Sequence, residues 1–465
     1  MIPPPPELAK GTTHWQWTFA SLVSLNYLIY GMEAGWISPV THELQSERSP
    51  LGAPVSNAAI SFLASLVSFV AAFMVPAFSH AADNYGRKWV IFATPFPQII
   101  SIIMRLAFPN LIVLAIARCL AGITASGTFI VITIYLREIS QNDIIATLGS
   151  LPTLLQNSGF LLMFIIGATC DYYRMLWIFL LLPCICSVLF LTIPESPDYL
   201  VKHDKLDHAL ETIAFLRGLT KDHPIVKADV EFMKRIEDEH KLLPNISFKV
   251  ILRDKAWRRG FLICLVVFTI HAWNGAFTIL VFAESILKEG HFNIIRAEYQ
   301  TISFPSCMIV ASLCFICVAE KWGRRNLLAT SFTVTMIAFI ILGIGLKIHL
   351  CGYCIPNFLP FLLMIVVVVM YSGGIRPLPS IIATEMFSFQ IRAKVIGLLI
   401  AYSWVVVSTQ LLAYGHLVDT IGLPFTFILF GFMNFIGLVS SLLLPETKGR
   451  NVEEIKKLLL QGKTS

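Results

Sequence analysis

Along the chain, apolar runs of membrane-crossing length alternate with short polar knots. The runs lie near residues 16–39, 57–80, 89–108, 110–136, 146–170 and 175–193, and then near 258–286, 298–318, 327–348, 358–384, 394–418 and 423–444. A helix of about 20 apolar residues crosses a hydrocarbon core of ~30 Å. Backbone groups in lipid must be satisfied within such a segment, and the short alternating strands of a barrel are not found. The pattern therefore predicts an all-α membrane protein with twelve transmembrane helices in two six-helix bundles, 16–193 and 258–444.

The break between the bundles, 194–257, is rich in charge but keeps helical spacing, as at Leu206, Leu210, Ile213 and Leu216. It reads as amphipathic helices on the cytosolic face. Residues 1–15 and 445–465 read as cytosolic tails, the first lacking the basic start and short apolar core of a secretory signal. With both termini inside, the tails and inner connections hold 27 of the 35 basic residues. That bias sets the orientation under the positive-inside rule. The halves also repeat: "ADNYGRKWVI" follows the second run and "AEKWGRRNLL" the eighth, their glycines 237 residues apart. Acid, two residues, glycine and two bases at equivalent places of two halves mark an internal duplication.

Composition adds exclusions. Hydrophobic residues make up 56% and charged residues 14%, against about 25% charged in soluble domains. The net charge of +6 follows the loops and forms no stripe, so it is no nucleic-acid footprint. Of ten cysteines most lie in apolar runs as packing residues; Cys351 and Cys354 fall in an outer loop as a "CGYC" pair. No metal-ligand cluster, cofactor motif, nucleotide loop or catalytic constellation stands out, which argues against an enzyme. The one glycosylation pattern, at Asn245, falls on the cytosolic side.

In this order, "DNYGRK", Arg118 with "GITASG", "YLREIS", "PESPDYL" with "FLRG", "EKWGRR", "ATEMFSFQIRAKVIG" and "PETKGR" resemble the sugar porters of the major facilitator superfamily. The insect trehalose/hexose branch is the most similar. The resemblance implies the major facilitator fold, with pseudo-symmetric bundles, in the plasma membrane. It also implies gating salt bridges that tie the cytosolic helix ends: Asp83, Arg87 and Glu138 in one half, Glu320, Arg324, Glu385 and Arg392 in the other. Pairs near water contribute about 0–1 kcal/mol each, which suits a latch that must release. Where the family has another arginine this chain has Ile145, so the first latch is either looser or leans on Arg137.

Glu33 lies deep in the first run, on one helical face with Asn26 and Tyr30. Gly31 and Gly35 would let a neighbouring helix approach closely. A charge at that depth needs a partner or a wet cavity, and Arg118 is the best partner. Proton-coupled members of the family carry an acid at this position. The pair is therefore either a proton-coupling switch or a fixed ion pair, and Glu33 is expected to look into a central chamber.

Polar side chains inside the runs are the substrate-binding candidates: Thr153, Gln156 and Asn157; His271 and Asn274; Ser372, Arg376 and Ser380; Ser403 and Trp404. Several amides that hexose porters use are replaced here, by Thr153, His271, Ala272, Phe277 and Met308, while Trp404 is retained. Arg376, between Gly374 and Pro377, stands where the family usually has a small residue. It either faces the pathway, favouring an anionic solute, or bonds nearby carbonyls or a carboxylate. The sequence thus points to a carrier of a sugar or sugar-like solute working by alternating access, with the lipid bilayer and, if coupled, protons as its other partners. A carrier of a polyol, glycoside or organic anion, or a sensor that binds without transport, are the alternatives.

Overall fold

A computed structural model describes residues 11–461 apart from 48, 142, 243–252, 291–293, 354, 355, 357, 388, 449 and 451. Asn245 and Cys354 lie outside the described residues, as does the side chain of Glu320. The described residues form twelve long helices in two groups of six. The first group is His14–Gly35, Asn57–Tyr85, Arg87–Ala107, Leu111–Ile139, Leu151–Thr169 and Tyr172–Thr192. The second is Lys255–Val281, Ser303–Trp322, Arg324–Leu350, Phe358–Met386, and Phe389–Leu443, which is two spans joined end to end. Gly422, at φ 82°, parts those two just before Pro424. They are called spans one to twelve below.

Helix starts follow capping chemistry. Ser56 accepts from the amide of Ala59, Asn110 from Ile112, and Asp254 from Ala256 and Trp257. The outward faces are apolar. In span six, Trp177, Leu181, Ile185 and Val188 all stand more than half exposed at helical spacing. Such a face is stable only against lipid, which marks the molecule as a multi-pass membrane protein.

Span one runs past Trp36 into a second helix, Ile37–Gln45, so it is longer than the apolar run suggests. The close approach expected of its glycines is made to span five. A Cβ on Gly31 would come within 3.0 Å of Gly159 Cα, and Gly35 faces Phe160. This contact fixes the height of Gln156 and Asn157 against Tyr30.

Three helices, Pro197–Lys202, Leu206–Arg217 and Pro224–Leu242, follow span six and share a small core of Tyr199, Leu200, Ala209, Ile213, Val226 and Val230. The amino-terminal segment is tied to them through the Thr12 amide, which donates to Arg217 O at 2.7 Å. The last helix, Val452–Gln461, docks on span seven through Ile455 and Leu459, with Lys456 2.6 Å from Asp254.

Candidate functional site

Two polar centres lie inside the molecule. The first surrounds Glu33, 1% exposed. Its Oε1 accepts from Arg118 Nη1 at 2.5 Å and from Arg105 Nη2 at 2.6 Å, and its Oε2 from Gln98 Nε2 at 2.7 Å. Arg118 also donates to the carbonyls of Leu63 and Glu33, at 3.0 and 3.1 Å. Arg105 reaches Ser101 Oγ, and Trp36 lies 4.5 Å from its guanidinium carbon. Every one of these groups belongs to the first half. The expectation that Glu33 looks into a central chamber does not hold, because two guanidiniums, an amide and an indole enclose it.

The second centre spans the halves. Span ten loosens at Tyr371–Ile375, where the Arg376 amide donates back five residues to Tyr371 O at 2.9 Å. Such π turns are frequent at functional sites. A matching one, Thr128–Ile132, interrupts span four. From the turn, Arg376 Nη1 donates to Asn157 Oδ1 at 3.1 Å and Nη2 to Gln156 Oε1. The Asn157 amide in turn donates to Ser312 Oγ at 2.8 Å and Ser372 Oγ at 3.2 Å, and the two hydroxyls bond each other at 2.8 Å. Span five is thereby tied to spans eight and ten. Beside this tie, Trp404 packs edge-on to Phe129 and Tyr30, with centroids 5.0 and 5.9 Å apart. His271 stacks on Tyr371 at 6.0 Å.

The glycine turns organise one rim of each half in the same way. Gly86 and Gly323 have φ of 92° and 82°, open only to glycine at low strain. Glu195 accepts from the amides of Arg87 and Lys88 at 2.8 and 3.2 Å; Glu446 accepts from those of Arg324 and Arg325 at 3.0 and 3.3 Å. Arg87 then binds Glu138 at 2.8 Å and Asp83 at 3.4 Å, and Arg324 binds Glu385 at 3.1 Å. Ser196 caps Glu138 and Thr447 caps Glu385, each at 2.5 Å. Each of these pairs stays within one half. Arg392 donates to the Phe387 carbonyl at 3.2 Å and makes no ion pair among the described residues, which do not include the side chain of Glu320. Arg137 likewise forms no ion pair among them; it lies within electrostatic reach of Arg392, a like charge from the other half.

Residues 18–459 match the family model described as sugar (and other) transporter. The chain belongs to that family. Its members are transporters and not enzymes. The chain is 24% identical to the facilitated trehalose transporter Tret1 of Drosophila pseudoobscura pseudoobscura, over 98% of this chain and 53% of that protein. To Tret1 of Polypedilum vanderplanki it is 25% identical, over 95% and 87%. It thus spans about half the length of the Drosophila relatives. Among solved structures, the inward-open xylose transporter XylE from E. coli matches with a TM-score of 0.78 at 17% identity, over 95% of this chain and 99% of that one. The proton:xylose symporter XylE bound to 6-bromo-6-deoxy-D-glucose matches at 0.75, 18% identical, over 96% and 99%. These likenesses give the chain the major facilitator fold.

Of the expected substrate residues, the fold brings Gln156, Asn157, Ser372 and Arg376 into one network, with Trp404 and His271 close by. Asn274 is spent on its own helix: it braces the break in span seven, donating to His271 O at 2.5 Å and accepting from Ala276 N at 2.7 Å. Thr153 and Ser403 are half-buried and Ser380 is exposed; none joins the tie. Sequence reasoning missed Gln98, Ser101 and Arg105, although their i, i+3, i+7 spacing puts them on one face of span three. It also missed Ser312, and Gln410, buried in span eleven with both amide atoms unpartnered. The role of Glu195 and Glu446 went unread, though both motifs containing them were noticed.

Proposed function

We propose that the transporter moves a sugar-like, polyhydroxylated solute across a membrane by alternating access, without coupling to protons. The double arginine clamp on Glu33 speaks against proton coupling. A coupling acid must release and regain its proton from the pathway during each cycle. Here protonation would leave Arg105 and Arg118 buried beside no counter-charge, a condition that costs about 3–5 kcal/mol when a buried pair loses one partner. The carboxylate also lacks a wet route, at 1% exposure. It acts as a fixed strut that joins spans one, three and four.

Alternating access is supported by where the halves touch. Beyond the Arg376 tie they meet toward the rim opposite the glycine turns, where Asn57 Nδ2 donates to Asp419 at 3.0 Å and Ser408 Oγ to Ser65 O at 3.1 Å. At the glycine-turn rim, Arg137 and Arg392 bring like charges within electrostatic reach of each other from the two halves. This is the arrangement of a carrier open on the side bearing those turns, which the basic-residue bias assigns to the cytosol, with both termini there and the plasma membrane as host. The rim clusters then hold each half rigid while the halves rock.

The amides that hexose porters use are largely gone, so the solute is sugar-like without being glucose. Counterflow in proteoliposomes tests the proposal: preloaded solute should accelerate uptake of labelled solute whether or not a pH gradient is present. Binding without counterflow would make the protein a sensor. Flux that collapses with the proton gradient would restore Glu33 as a coupling group.

A further inference from the structure

Resting on the carrier reading, we infer that the solute bears a carboxylate and that Arg376 is the group that receives it. The solute class is then a sugar acid: a chain or ring of hydroxyls with one carboxylate.

The first support is the geometry of the tie. The two terminal nitrogens of Arg376 each hold one amide oxygen, from the neighbouring residues Gln156 and Asn157. Two oxygens offered side by side to the guanidinium fork are what a carboxylate supplies in a bidentate pair. The amides imitate the shape of that ligand but bring no charge. Among the described residues no carboxylate pairs with Arg376, although it sits half-buried between the halves.

The second support is charge. Apart from Glu284, which Lys288 pairs at 2.6 Å, the described ionised side chains buried or half-buried in the bundles between the two rims set Arg105, Arg118 and Arg376 against Glu33. Three positive charges face one negative, and the excess at Arg376 lies on the pathway. Uncompensated charge at membrane depth is costly and marks an ion or substrate route. A neutral sugar would leave it uncompensated in every step of the cycle; an anion removes it when bound.

The third support is what the exchange releases. When a carboxylate takes the fork, the side-chain oxygens of Gln156 and Asn157 are freed, and Asn157 lies within hydrogen-bond reach of Ser312 and Ser372. Those groups then meet solute hydroxyls in the direct way that a site built on amides requires. Tyr30 and Tyr371, within electrostatic reach of Arg376, add phenolic hydroxyls from both halves. The same exchange breaks the only charged link in the tie between span five and span ten. Binding therefore favours a state in which the halves are free to move, which is the differential affinity a carrier needs.

The test is counterflow and competition in proteoliposomes with gluconate and glucuronate, against glucose, xylose, trehalose and sorbitol, and with glucose 6-phosphate as a separate arm. The expected result is that the sugar acids exchange at least about tenfold better than their neutral counterparts, roughly one charge-assisted contact. Arg376→Gln should lose most of that preference and Arg376→Lys should keep part of it. Thermal unfolding of both variants in detergent distinguishes loss of the ligand from loss of the fold. Equal or better exchange of neutral sugars, or unchanged anion exchange in a folded Arg376→Gln protein, overturns the inference and leaves the carrier standing. Preference for glucose 6-phosphate over both sugar acids overturns the carboxylate assignment. No counterflow with any of these solutes overturns the carrier reading itself, and this inference with it.

Discussion

Replacing Glu33 by glutamine removes one charge and almost no volume, so it isolates electrostatics. In the native arrangement the carboxylate accepts from Arg118 at 2.5 Å, Arg105 at 2.6 Å and Gln98 at 2.7 Å. A pair of unit charges about 4 Å apart in an effective dielectric of about 20 attracts by about 4 kcal/mol. Two such attractions vanish in the variant, and the two guanidiniums are left repelling each other in a sealed space. Part of the loss is regained as the glutamine carbonyl accepts one donor. The net expectation is a destabilisation of about 3–5 kcal/mol, the usual consequence of breaking a buried pair from one side. Thermal unfolding of purified protein measures it, and a double-mutant cycle attributes it. Arg105→Gln in the Glu33→Gln background should cost far less than Arg105→Gln alone, with a coupling of at least ~1.5 kcal/mol. If the effects of the two substitutions simply add, or if Glu33→Gln unfolds within about 1 kcal/mol of the parent, the clamp does not hold the first half together.

Gly31→Leu should force spans one and five apart, since even a Cβ there meets the Gln156 backbone and Gly159. A loss of about 1–3 kcal/mol is expected from overpacking, read by thermal unfolding, together with a lower solute affinity as Gln156 shifts. Glu195→Gln and Glu446→Gln each weaken a charged cap on a glycine turn and should destabilise by about 1–2 kcal/mol; near-identical effects on unfolding would express the internal symmetry. The carboxyl of Asp254 is held below the usual aspartate range by its hydrogen bond to Lys456. Its contribution to docking the last helix is therefore present above that range and fades as pH falls through the lowered value. Hydrogen exchange on 452–461 should rise only in acid, at or below about pH 4. In Asp254→Asn it should be raised already at neutral pH.

The fold was almost wholly legible in the sequence because lipid leaves so few options. Each apolar run had to be a helix, and the repeated glycine turn fixed the two-fold plan. Boundaries were the weak part: Ile37–Gln45 extends span one in a stretch whose polar residues concealed it. The site was legible only in outline. Asn157, Gln156 and Arg376 stood out as polar groups in apolar runs. That they satisfy one another across the halves depends on the π turn in span ten, which no periodicity reveals. Arg105 lies two residues from the end of span three, where nothing in the sequence sets it apart from an ordinary rim charge. Only the packing shows that Trp36 folds over it and turns it inward to Glu33. The bracing role of Asn274 was hidden for a related reason: the break at Gly275 is seen only in the fold, and the adjacent amide spans it.

The question that matters most is whether the buried carboxylate takes part in energy coupling. Counterflow in proteoliposomes, followed over about pH 5 to 8 with and without an imposed proton gradient, addresses it directly; histidine and perturbed groups titrate in this window. With Glu33 clamped as a permanent anion, exchange of one preparation should hold nearly constant, and collapsing the gradient should leave it unchanged. Uphill accumulation that follows the proton gradient and disappears in Glu33→Gln would contradict it.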